Sequence, residues 1–290
     1  MKSIIAIALI SLAFCGFINQ EEVDFLKANS PFEVYEPEEN PFRDYTEEQI
    51  KDLFTVQLEY PEGIEVEEEE DDVPESFDFR TQWPDCVGEI RNQASCWSCW
   101  AFSGAVAFQQ RLCIAGGDKV VLSSQDSVSC DKANLGCQGG YLPRTWNYYK
   151  TTGLVTENCF PYTSQKGTVE ACITECKDGS EWKKYKISDY SSFRGVNAIR
   201  KEILENGPVQ TGFTVYNDFM SYKSGIYKHV SGSALGGHAV IIIGWGVEEG
   251  VEYWIAQNSW DKNWGENGYF RIKTGECGFD SNAYAGTPIV

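Results

Sequence analysis

Eleven cysteines in 290 residues constrain this chain more than any other feature. Cytosolic thiols are kept reduced, so such a count points to disulfides and an oxidising compartment, and the odd number leaves at least one thiol without a partner inside the chain. The N-terminus supplies the compartment independently. Lys2 precedes an apolar stretch over residues 4–14, shorter than the ~20 residues that cross a bilayer and followed by small residues. Residues 1–15 are therefore expected to be a secretory signal peptide cut after Cys15, which leaves ten cysteines. No later apolar run is long enough to span a membrane, so no membrane partner is expected, and the destination is a lysosome, a digestive vacuole or the exterior.

Charge excludes further classes. With 43 acidic against 24 basic residues and a net charge of -19, nucleic acid is not an expected partner. Two histidines leave little scope for a His-built metal centre, and neither a metal nor an organic cofactor is expected. The acid is unevenly spread: residues 16–72 carry 20 Asp and Glu against Lys27, Arg43 and Lys51, whereas residues 73–290 are nearly balanced at a net -3. The block from Glu67 through Asp72 repels itself into an extended, solvated chain, so the first boundary is placed after residue 72. The plain reading of this block is a solvated linker; the sharper one adds sensitivity to acid, since protonation in an acidic vesicle would remove charge-dependent contacts. Residues 46–54 begin with Thr46 and early acids and then gather apolar residues, which predicts a short amphipathic helix lying on the later domain.

Beyond residue 73 the texture changes twice. Residues 100–115 are apolar all round and end at Gly116-Gly117, as a buried helix does. A shorter helix is expected over 197–205, then strands over 209–216, 238–245, 251–257 and 268–272. A helical half thus precedes a sheet-rich half.

The chemistry concentrates at Cys96-x-x-Cys99. Such a pair is half a zinc site, a redox couple, or one structural and one reactive cysteine; zinc needs further closely spaced ligands and the redox motif needs a βαβ context, neither of which is offered. Cys99 directly precedes the predicted helix, where free backbone N–H groups and the positive dipole end favour a thiolate. A thiolate attacking a carbonyl also needs an imidazole. His238 follows Gly236-Gly237 and opens an apolar strand, whereas His229 sits in a polar turn and reads as a surface residue. Asn258 ends the 251–257 strand and can orient His238, with Trp260 and Trp264 shielding that bond. Gln93 can offer an amide N–H which, with the Cys99 N–H, makes an oxyanion hole.

With Gln93, Cys96-x-x-Cys99-Trp100-Ala101-Phe102, Cys137-x-Gly139-Gly140, Gly237-His238-Ala239 and Asn258-Ser259-Trp260 in this order, the chain resembles the papain family of cysteine proteases, and within it the cathepsin B branch. The resemblance runs from about residue 73 to 286. It implies an α+β papain-like fold of two domains, a helical left domain at 73–188 and a sheet-rich, barrel-like right domain at 189–290, with the cleft between them and an inhibitory propeptide at 16–72. It implies Cys99 as nucleophile, His238 as acid and base, Asn258 as orienting amide and Gln93 as oxyanion donor. Gly139 and Gly140 would pair with an extended substrate, and Trp260 would cover the site. It also implies the disulfides Cys86–Cys113, Cys96–Cys137, Cys130–Cys172 and Cys159–Cys176, leaving Cys99 reactive and Cys277 free and buried. The implied partners are protein and peptide substrates, the chain's own propeptide and cystatin-like inhibitors, acting on a monomer.

Three departures from the family pattern matter. Cathepsin B closes one end of its cleft with a loop carrying two histidines; here only 12 residues separate Cys159 from Cys172 and none is His, so an open cleft and endopeptidase action are expected. The acid that accepts a basic side chain at the second subsite is replaced by Asn282, which predicts a preference for apolar over Arg side chains between walls of Tyr141, Leu142, Gly212 and Ala239. Trp97 stands where the family usually has Gly: either its ring faces solvent and activity survives, or it obstructs the cleft and the chain is a weak or inactive peptide-binding homologue. If that position needs a positive φ, strain of roughly 1–3 kcal/mol follows. A disulfide-stapled binding module would explain the cysteines equally well, but not the ordered set of Gln93, His238 and Asn258.

Overall fold

The computed structural model describes residues 17–51, 53–54, 56–58 and 73–290, so the expected signal peptide and the acidic block before residue 73 lie outside the described residues. The architecture is organised around one helix, α4 (Cys99–Ile114), buried from Cys99 through Leu112. Its small residues let neighbours approach from every side: a Cβ on Gly104 would lie 2.7 Å from the Tyr149 hydroxyl. Helices α5 (Ser124–Cys130) and α6 (Leu142–Thr151) pack on α4, preceded by β2 (Phe77–Asp78) and α3 (Phe79–Gln82). The four disulfides Cys86–Cys113, Cys96–Cys137, Cys130–Cys172 and Cys159–Cys176 all lie in this half.

The second half is an eight-stranded sheet. Its strands are β3 (Ile187–Phe193), β4 (Val209–Tyr216), β6 (Ile226–Tyr227), β7 (Ala234–Glu248), β8 (Val251–Gln257), β9 (Tyr269–Lys273) and β10 (Ala283–Pro288), with β2 joined to β7. The order is β3-β10-β4-β7-β8-β9-β6, and no pairing among the described residues joins its ends, so the sheet is open rather than a closed barrel. Helix α7 (Val196–Asn206) packs against it. Strand β7 is covered on both faces: Ala239, Ile241 and Ile243 enter the helical core, while Val240 and Ile242 enter the sheet's other core. That double burial explains a continuous apolar run where a half-exposed strand would alternate.

The prosegment docks by apolar burial. It contributes α1 (Gln20–Asn29), β1 (Glu33–Val34) and α2 (Glu47–Lys51), and β1 pairs antiparallel with β5 (Tyr222–Ser224). Asn19 caps α1, and Thr46 and Gln49 exchange side-chain to backbone bonds of 3.2 and 2.8 Å, a capping box that starts α2. Val23, Leu26, Phe32, Phe42, Ile50 and Phe54 share one core with Phe219, Tyr222, Trp260 and Trp264. Among the described residues one ion pair crosses this interface, Lys223 to Glu39 at 3.3 Å, and both side chains are exposed; such pairs contribute little. None of the described helices is long and apolar enough to cross a membrane.

Arg111 bolts the halves together. From inside α4 its guanidinium donates to the carbonyls of Gly286 (2.9 Å) and Gly207 (3.0 Å) and to Glu202 at 2.5 Å. Removing one partner of a buried pair strands the other, so Arg111→Ala should cost about 3–5 kcal/mol in urea unfolding; a loss below about 1 kcal/mol would show that α4 is held by packing alone.

Candidate active site

Cys99 is the first residue of α4 and forms no disulfide. Three residues earlier, the Cys96–Cys137 bridge fixes the approaching loop to the turn at Gly136–Gln138. Burial pushes the Cys99 thiol up to about 12, while hydrogen bonds from the backbone N–H groups of Ala239, Trp100 and Cys99 itself pull it down. Ala239 is the residue after His238 on β7, so the helix tip and the strand meet at this sulfur.

His238 is fully buried, and its Nε2 donates to Asn258 Oδ1 at 2.8 Å. That bond leaves Nδ1 as the nitrogen able to take a proton, and Nδ1 has no partner among the described residues. Burial drives the imidazole down to about 4, with the Asn258 bond opposing. The ring stacks on Trp260 at 4.6 Å and meets Phe213 and the prosegment's Phe54 edge-on. Asn258 Oδ1 also accepts the Ser259 N–H at 2.8 Å, which fixes its orientation. Gln93 is held from both sides: its Oε1 accepts the Ser259 hydroxyl at 2.7 Å, and its Nε2 donates to the Cys96 carbonyl at 3.2 Å. The segment after β8 therefore places the His238 partner and the Gln93 partner at consecutive positions.

The prosegment threads this cleft. Val56 N–H donates to Gly237 O at 3.1 Å and Gln57 N–H to Gly140 O at 3.2 Å. A Cβ on Gly236 or Gly237 would come within 2.2 Å of the Phe54 and Val56 carbonyls, so these glycines admit a chain that any side chain would block. Gly139 has φ 102, and a Cβ on Gly140 would strike the Trp100 ring at 2.7 Å. Leu58 lies against Gly212 and, with Gln57, Leu142, Pro143, Asn282 and Tyr284, lines a small pocket. The Asn282 Nδ2 donates to the Tyr284 hydroxyl at 2.5 Å.

Several expectations need correction. Of the expected subsite walls, Leu142 and Gly212 stand at the pocket beside Leu58, while Tyr141 lies under the Arg144 guanidinium at 3.7 Å and the Ala239 N–H meets the Cys99 sulfur. Cys277 is half-buried, not buried, and its backbone is left-handed at φ 55. Trp97 is half-buried, belongs to neither large hydrophobic cluster and has no positive φ, so the strain argument does not apply. His229 is more than a surface residue; its Nδ1 pairs with the fully buried Asp218 at 3.1 Å and its ring stacks on Tyr216. The sequence reading also passed over Pro143, Tyr284, Ser259 and Tyr162. Ser259 lies inside the Asn258-Ser259-Trp260 motif, which was the available signal; the others carry none.

Comparison with known proteins agrees with this geometry. The profile of the papain family cysteine proteases matches residues 73–287. The chain is 44% identical over 228 residues to cathepsin B-like CP2 of Giardia intestinalis, covering 75% of each. It is 41% identical over 233 residues to cathepsin B of Dictyostelium discoideum, covering 74% of this chain and 75% of that one. Among solved structures, proCathepsin B S9 from Trypanosoma congolense superposes with a TM-score of 0.86 at 31% identity, covering 94% of this chain and 99% of that one. On these matches the chain belongs to the papain family of cysteine proteases, on its cathepsin B-like side.

Proposed function

We propose that this chain is the zymogen of an endopeptidase that works by acyl transfer through Cys99, His238 and Asn258. The Cys99 sulfur attacks a peptide carbonyl, His238 protonates the leaving amine, and water then releases the acyl-enzyme with His238 as base. Asn258 keeps the ring oriented, and Gln93 together with the Cys99 N–H stabilises the oxyanion. The observations that carry this reading are the His238–Asn258 bond and the unbridged cysteine at the tip of α4, whose sulfur meets the N–H of Ala239, the residue after His238. Gln93→Ala should lower kcat by about 10²–10³ on a peptide substrate with KM nearly unchanged; an unchanged kcat would remove Gln93 from the oxyanion site.

The docked prosegment inhibits by desolvation as well as by blockage. With the thiol raised to about 12 and the imidazole lowered to about 4, both are uncharged at any pH between. Removing the prosegment readmits water, which favours the charged pair. Iodoacetamide should therefore modify Cys99 slowly in the zymogen throughout pH 5–8 and much faster once residues 16–72 are cut away. Equal rates in the two forms would contradict this. Acid bears on the docked contacts in an unexpected direction: Glu22 has its carboxyl raised by burial and by Asp218, so at that contact protonation tightens docking. Release is assigned to cutting near residue 72, in the secretory pathway to which the apolar residues 4–14 point.

The Leu58 pocket supports apolar selectivity at the corresponding substrate position. Peptides blocked at both ends should be cleaved, with Leu preferred over Arg at the second residue before the scissile bond. Asn282→Glu should raise the rate on the Arg peptide. A wild-type preference for Arg, or dipeptide release from C-termini as the main activity, would refute this part.

A further inference from the structure

Ser98 occupies the N-cap of α4, where a serine hydroxyl ordinarily accepts an N–H from the second or third helical residue. Here it caps nothing. Other caps in the chain behave in the ordinary way: Ser123 Oγ takes the Asp126 N–H at 3.0 Å ahead of α5, and Thr46 Oγ1 takes the Gln49 N–H at 3.2 Å. Among the described α-helices preceded by Ser, Thr, Asn or Asp, the exception is the one that begins with Cys99.

The Ser98 hydroxyl is held elsewhere. It lies 3.0 Å from the Tyr162 hydroxyl and 3.3 Å from the Cys96 carbonyl. Tyr162 gives its own proton to the Gln93 carbonyl at 2.8 Å. A hydroxyl has one proton, so with the Tyr162 proton on Gln93 the single Ser98 proton is shared between the Tyr162 oxygen and the Cys96 carbonyl. Tyr162 is fixed in turn: its ring meets Phe102 edge-on at 4.7 Å, and its N–H reaches Glu157, which pairs with Arg91 at 2.5 Å. With the hydroxyl drawn aside, the N–H groups of Cys99 and Trp100 are left to the Cys99 sulfur, which they pull toward the thiolate.

We propose that Tyr162 is a positioning residue for the nucleophile, its hydroxyl holding Ser98 off the end of α4 so that the first N–H groups of that helix serve the sulfur. This rests on the reading of Cys99 as nucleophile. Without the tyrosine hydroxyl, Ser98 is free to rotate onto the Trp100 N–H, since the Ala101 N–H is already taken by the Ser98 carbonyl at 2.9 Å, and the sulfur loses a donor it needs as a thiolate. The ionisable groups around the sulfur and this hydroxyl are His238 on β7, Arg91 and Glu157, and Tyr162→Phe alters none of them.

The test is a cycle of Tyr162→Phe, Ser98→Ala and the double variant in the matured enzyme. It follows kcat, KM, melting temperature and the rate of Cys99 alkylation by iodoacetamide from pH 5 to 8, with the modified residue located by mass spectrometry. Tyr162→Phe should lower kcat about tenfold with KM within about twofold, the scale of one lost donor to the reacting atoms. The thiolate, less supported, should form at higher pH, so the acid limb of the alkylation profile moves upward. In the Ser98→Ala background, where no hydroxyl can swing onto the helix end, the same change should cost less than about twofold. An equal loss in both backgrounds, or no loss in either, would overturn the proposal. Inactivation of the wild type by alkylation at Cys277, with Cys99 left unmodified, would overturn the nucleophile assignment itself, and this inference with it.

Discussion

A sulfur and an imidazole share one dry seam where the tip of α4 meets β7, and much of the remaining structure exists to hold that seam. Burial alone drives both groups toward neutrality, the thiol upward and the ring downward. Opposing it are oriented dipoles: three backbone N–H groups at the sulfur and the Asn258 amide at the ring. The balance between desolvation and these dipoles decides whether the pair is inert or reactive. At the ring, the prosegment lays Phe54 against His238 and against Trp260.

The scaffold explains why the dipoles stay in place. Arg111 ties α4 to Gly207, Gly286 and Glu202, so the helix that carries the sulfur is anchored to the sheet that carries the ring. Gln210 on β4 adds a second link through the Trp100 carbonyl and the Ser103 hydroxyl, both at 2.8 Å. The cleft itself is cut by glycine: Gly139, Gly140, Gly236 and Gly237 leave room for an extended chain, and the prosegment occupies it through two backbone bonds and one leucine pocket. An extended chain bound through its backbone is also what a peptide substrate offers.

Much of this was legible in the sequence because it rests on local pattern. The all-round apolar run of α4, the strands β4, β7 and β8 and the capping residue before α2 announce themselves through periodicity and end signals. The placing of Cys99 and Asn258 at element ends was readable in the same way, whereas the strand expected to open at His238 begins at Ala234 and carries the histidine inside it. What was not legible depends on contacts distant in sequence. Helix α5 looks polar, yet Asp126 is buried because Lys184, Tyr148 and the Val155 N–H satisfy it. The pocket walls Pro143 and Tyr284 come from α6 and β10, and only the fold sets them opposite each other. Tyr162 carries no motif, and its role emerges only from a hydroxyl lying between Ser98 and Gln93. The barrel-like expectation for the right half met an open sheet, since strand count and spacing do not report whether the ends pair.

The most direct test of the central claim is the protonation state of His238, read from the nitrogen shifts of labelled imidazole at pH 6 before and after prosegment removal. The account predicts a neutral ring in the zymogen, an imidazolium in the matured enzyme, and a return to neutrality when Cys99 is alkylated. The same protonation state in all three forms would contradict it.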